Sequence, residues 1–248
     1  PVKARLRRWR DEIAIAALLA ALAGALALGG WAWRADRLVY DLGLALAPRA
    51  VPEDIVIVAI DDASLEAIGR WPWKRAVHAT LQERIAAQPP AQRPRAIALD
   101  LVLSEPDPDP MQDRLLAQAV AHAAPVVLPL PGAPADPALR GGAKLGTAEP
   151  AVDADGVLRH AYLWNVTDNG RVPHLALALL EAGGGAAHPR LQPRNEPGIG
   201  AYGRREGEIA LRFVGPPGSV RRVSYVDLLT GTVPASARNF CAQSVDPC

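Results

Sequence analysis

The sequence predicts an α/β domain of three layers, a mostly parallel sheet with flanking helices, preceded by one transmembrane helix. Three observations predict it. Short β-branched runs at 55–60, 96–99 and 126–128 alternate with helical patterns, the order expected of a parallel sheet with helices on its faces. The first two runs end in carboxylates, Asp61-Asp62 and Asp100, at the strand ends that border the ligand crevice of an open parallel sheet. Residues 13–33 carry no charge, over about the ~20 residues that a bilayer-crossing helix requires.

The chain has 248 residues, 50% of them hydrophobic and only 5% aromatic, so an aliphatic, alanine-rich core is expected. A net charge of +1 gives no support for a nucleic-acid partner, whose electrostatic footprint needs a clustered basic face, and none is expected. Residues 1–12 form a basic leader with Lys3, Arg5, Arg7, Arg8 and Arg10, while only Arg34 and Arg37 follow the apolar run closely. That asymmetry places the amino terminus in the cytoplasm and the bulk of the chain outside, as a single-pass protein of the inner membrane. The rival reading is a cleaved signal peptide ending near Ala25-Leu26-Ala27; the apolar run is longer than the usual signal core. Residues 34–50 form a juxtamembrane stalk, where Leu38, Leu42 and Leu46 recur every four residues until Pro48. Its face fits either a second copy of the chain or the domain itself.

Residues 51–240 make up the domain. The strand at 55–60 leads through a loop punctuated by Ser64, Gly69 and Pro72 into a helix marked by Val77, Leu81 and Ile85. After the strand at 96–99, alternating prolines in Ser104–Pro110 exclude helix, and Leu115, Leu116, Ala119, Val120 and Ala123 mark the next one. Residues 129–150 read as a long surface connection. Asp153-Ala154-Asp155-Gly156 is a turn and not a calcium loop, since the later ligands of that loop are missing. A strand at 157–166, a turn at Asp168-Asn169-Gly170, and a helix opened by Pro173 and closed by Gly183-Gly184-Gly185 follow. Residues 188–207 read as a mobile excursion, 209–214 as a strand, and Asp227-Leu228-Leu229 as one helical turn.

Five segments in this order resemble one family. They are IVIVAIDDASLEAIGRWPWKRAVHATLQERI at 55–85, RAIALDLVLSEPD at 95–107, DADGVLRHAYLW at 153–164, PHLALALLEAGG at 173–184 and VSYVDLLTGTVP at 223–234. Together they are similar to the CHASE domain of the second type, an extracytoplasmic sensory domain of bacterial histidine kinases, nucleotide cyclases and diguanylate cyclases. The resemblance runs from about Arg34 to Pro234. It implies a sensory input and not an enzyme, with a histidine kinase as the output and a diguanylate or adenylate cyclase as the alternative. It also implies a further apolar strand and membrane helices after Pro234. The tail instead runs Ala235 to Cys248 without an apolar run, so the expectation is a truncated or frameshifted product, incomplete at its carboxyl end, with 241–248 as a divergent tail.

The expected ligand site is the set Asp61, Asp62, Arg70, Asp100 and Glu105, polar groups gathered at parallel strand ends. No catalytic residue, metal or cofactor is expected. A phosphoryl-accepting receiver domain would interpose a strand between the paired acids and the acceptor, and only Pro89–Arg93 stands there. The competing readings are that the acids cap helices and bond loop amides, or that they serve an anchored periplasmic α/β enzyme. Trp71-Pro72-Trp73 fits either ligand stacking or a locked loop. His78, His122, His160, His174 and His188 lack metal-ligand spacing, and Cys241 and Cys248 are the only cysteines. The expected partners are the lipid bilayer, an extracytoplasmic small ligand and a second copy of the chain.

Overall fold

The computed structural model describes residues 2–29, 31–46, 49–130, 137, 139, 142–168, 170–186, 197–201 and 203–232. The tail, both cysteines, His188, Pro48 and the place of the expected last strand lie outside the described residues. What is described falls into two compact units: one holds the residues up to Ala50 with Phe213–Gly215, the other the rest from Val51 onward.

The first unit is helical, with α1 at Val2–Leu28 and α2 at Trp31–Leu46. Ile13, Ile15, Leu18, Leu19 and Leu22 of α1 are all exposed, as are Leu38, Val39, Leu42 and Leu46 of α2. The uncharged run at 13–33 is therefore divided between two helices. Its part within α1, Ile13–Leu28, is about 24 Å of helix at the ~1.5 Å rise per residue. Among the described residues no helix is long and apolar enough to cross a membrane.

The second unit is a mixed α/β fold. Its parallel part holds β1 (Ile57–Ala59), β2 (Ile97–Ala98), β3 (Val126–Pro129), β4 (Ala143–Gly146) and β10 (Arg222–Ser224). β2, β3 and β4 form one parallel sheet, whereas among the described residues β1 pairs only with β10, Ile57 opposite Arg222. The β1 and β2 strands, expected as neighbours in one β-α-β unit, thus stand in separate sheets.

Helices pack against β3, whose residues are all buried. On one side Val126 and Leu128 join Ala79 of α4 (Arg75–Ala86) and Leu116, Ala119 and Val120 of α5 (Pro110–His122) in one core cluster. Against β4 lies α6 (Leu175–Ala182), so close that a Cβ on Gly146 would sit 2.7 Å from the Leu175 Cα. A second core cluster, under β1 and β10, gathers Trp73, Leu81 and Tyr225 with Val58, Ile60, Leu65, Ile68, Leu228 and Leu229. It is bounded by α3 (Asp62–Ile68) and α7 (Tyr225–Thr230).

The expectation of a mostly parallel sheet is corrected by the stretch between β4 and β10. There β5 (Ala151–Val152), β6 (Leu158–Thr167), β7 (Gly170–Pro173), β8 (Gly198–Gly200) and β9 (Gly203–Ala210) make an antiparallel sheet. Short turns cause this: Asp153–Gly156 and Asp168–Gly170 return the chain at once, which only antiparallel neighbours permit. Pro173 closes β7 and does not open α6, whose N-cap is His174.

Candidate functional site

The polar residues of the second unit converge where β1 and β10 end side by side. β1 delivers Asp61 to the start of α3, where an Asp side chain can accept an otherwise orphaned helix amide. Its Oδ1 accepts from the Ser64 amide at 3.0 Å, from the Ser64 hydroxyl at 2.6 Å and from the Ser224 hydroxyl at 2.8 Å. Ser64 is fully buried and its Oγ accepts in turn from the Val226 amide at 3.1 Å. The hydroxyls of Ser64 and then Ser224 hold the Asp61 carboxyl below its ordinary pKa, because they stabilise the charged form. Segments some 160 positions apart are thereby latched through one carboxylate.

Beside the latch lies an aromatic cluster. α3 stops at Gly69, whose φ of 111° favours glycine, and the chain turns through a cis Trp71-Pro72 bond. Trp73 is buried and its indole N–H donates to the Gly69 carbonyl at 2.8 Å. Its ring centroid lies 5.0 Å from that of Tyr225, whose hydroxyl is 2.9 Å from His78 Nδ1. Burial lowers the His78 pKa to about 4, with the Arg75 charge adding to the effect, and burial raises the Tyr225 pKa. Both groups are therefore neutral near pH 7. Of the two tryptophans, Trp73 locks the turn, while Trp71 is 41% exposed and lines an open hollow of about 520 Å³ with Leu65, Glu66 and Arg70.

A third polar device orders the Ser104–Pro110 loop. Arg75, at the start of α4, meets buried Asp113 of α5 at 3.3 Å and donates to the Glu105 carbonyl at 2.9 Å. Asp113 also accepts from the Asp107 amide at 2.8 Å, and Gln112 accepts from the Ala76 amide at 3.0 Å. The loop is thus fastened to both helices.

Of the five expected site residues, Asp61 is the centre of the latch, and Asp62 is exposed in the first turn of α3. Arg70 is exposed at the hollow, Asp100 is exposed after β2, and Glu105 is exposed with its carbonyl held by Arg75. Among the described residues no hydrogen bond or ion pair joins any two of them, and no group of three or more His, Cys, Asp or Glu side chains could hold a metal. The turn carboxylates Asp153 and Asp155 are taken up by buried Arg159, at 2.9 Å each. Ser64, His78, Ser224 and Tyr225 were not among the expected site residues. An Asp three positions before a Ser at a strand end is a helix-start signal for Ser64; nothing local marks Ser224, whose partner is remote.

The class this geometry defines is a mixed α/β domain in which β1 and β10, the first and last of the described strands, are latched together by partly buried polar side chains. The family model of the CHASE2 domain matches residues 15–244, and the chain belongs to that family of extracytoplasmic sensory domains. Comparison with curated proteins and with solved structures gave no match.

Proposed function

We propose that this chain is the input part of a membrane receptor, detecting a stimulus outside the cytoplasm for a histidine kinase output. The observation that carries the reading is the family match across 15–244, which takes in most of the uncharged run at 13–33 as well as the α/β unit. In this reading that run anchors the protein in the cytoplasmic membrane with the basic leader inside, following the positive-inside bias. Fusing a periplasm-only reporter after Gly170, the first residue of β7, should give activity. Activity of a cytoplasm-only reporter at the same position would reverse the topology.

A small extracytoplasmic ligand would bind near the ends of β1 and β2, in reach of Asp62, Arg70, Asp100 and Glu105. Asp61 would report occupancy through its serine bonds. The exposure of the first four supports this assignment. Replacing Asp62 or Asp100 by Asn in the complete receptor should alter its signal response at unchanged membrane level; an unchanged response in both removes these acids from the binding model.

A further inference from the structure

We propose that the input this domain senses is acid, and that His78 is the group that takes up the proton and thereby frees α7 from α4. The proposal rests on the sensory reading above and names its stimulus. His78 is 1% exposed, with ring centroids of Trp71, Tyr225 and Trp73 at 5.7, 5.8 and 6.1 Å. Its Nδ1 faces the Tyr225 hydroxyl, and its Nε2 is buried without a hydrogen-bond partner among the described residues.

The charges around it do not favour an imidazolium. On α4 itself the nearest is Arg75, of the same sign, and Asp113 of α5 is engaged by that guanidinium at 3.3 Å. The turn before α4 contributes the two tryptophans and an exposed Lys74. From α7 comes the neutral Tyr225 hydroxyl, while Asp227 accepts from Thr232 at 3.3 Å. A proton on His78 would be a desolvated charge with no paired carboxylate, and such a group is relieved by reaching water. Doing so breaks the bond to Tyr225, the first residue of α7. Ser224, which closes the Asp61 latch, directly precedes it. His174 is affected in the same direction at a different place: its Nδ1 must be unprotonated to accept from the Ala176 amide at the start of α6, and burial lowers its pKa. It therefore serves as a control.

The test is amide hydrogen exchange on the 248-residue chain in detergent micelles, corrected for the intrinsic pH dependence of exchange. With His78 at about 4 when closed and at its ordinary 6.5 when open, the opening constant of α7 should rise on the order of 60-fold from pH 7 to pH 4.5. His78→Gln should flatten that rise, and His174→Ser should leave it in place. A rise that persists in His78→Gln, or no rise in the unsubstituted chain, overturns the proposal. Should His78→Gln not fold, histidine ring titration by NMR in the His174→Ser chain decides: one ring still neutral at pH 5 supports it, and all rings titrating near 6.5 overturn it. The reporter at Gly170 separates the two readings. A His78-dependent rise in a protein whose Gly170 faces the cytoplasm would keep the protonation device and remove its sensory role; an extracytoplasmic Gly170 with a pH-indifferent α7 would keep the sensor and remove acid as its stimulus.

Discussion

Around the parallel strands the polar side chains are buried and shared between distant segments, whereas on β7 and β9 two exposed arginines gather around one carboxylate in contact with water. Ser64, His78 and Gln82 are 0–1% exposed and Asp113 5%. On the antiparallel sheet, by contrast, Arg171 lies 4.4 Å over the Trp164 ring and meets Glu206 at 3.4 Å, and Arg204 meets the same carboxylate at 2.5 Å. Both arginines are more than half exposed. Buried Arg159, held by Asp153 and Asp155, and buried Asn165, which donates to Glu149, are exceptions within this sheet. The difference bears on cost: a buried partner removed leaves an uncompensated group, while an exposed one is replaced by water.

The largest effect expected from this contrast is at the Arg75–Asp113 pair. Arg75→Met strands a buried carboxylate and should cost about 3–5 kcal/mol in urea unfolding, whereas Arg75→Met combined with Asp113→Leu should recover most of it. A single-variant loss under about 1 kcal/mol would mean that the pair is already solvated. Next comes Leu116→Ala, which empties a fully buried position against β3 and should cost about 3 kcal/mol, measured the same way.

Asp61→Ala is expected to cost about 2 kcal/mol, since it removes a helix cap and two hydroxyl bonds together. Because the folded pKa of Asp61 lies below its ordinary 3.8, its contribution is complete above that value and is lost as pH falls through the folded one. The variant should therefore lose the part of acid denaturation that lies below pH 4; an unchanged acid limb would contradict the latch. The smallest effect is Arg171→Ala, below about 1 kcal/mol and reduced further in ~1 M salt. A loss as large as that at Arg75 would erase the contrast between the two regions.

The sequence made β1, α4, β2, α5 and β3 legible because each is a local pattern of apolar spacing bounded by proline, glycine or a carboxylate. α3 was taken for loop: its seven residues are too few to show a helical period, and only its Asp cap and Gly stop speak for it. β4 was hidden within a connection rich in Pro, Gly and Ala. β9 begins at Gly203 and runs through Arg204, Arg205 and Glu206, a charged stretch that reads as a surface excursion because its packing is cross-strand and not apolar. Asp61 was legible as a polar group at a strand end, and helix capping was one of its readings. Its second serine was not, since pairing across 163 positions leaves no mark in either neighbourhood.

The pairing of Ile57 with Arg222 also sets a clock on biogenesis. At synthesis rates of roughly 5–20 residues per second, the chain between them takes on the order of 10–30 s to make. For that interval β1 is available without its partner, a short apolar segment with unpaired backbone groups. If the domain is carried across the membrane as it is made, β1 crosses first and waits longest. Sites where a holding chaperone would be most needed during export should therefore lie at 55–60, ahead of the hairpins at 151–173, which can close as soon as they emerge.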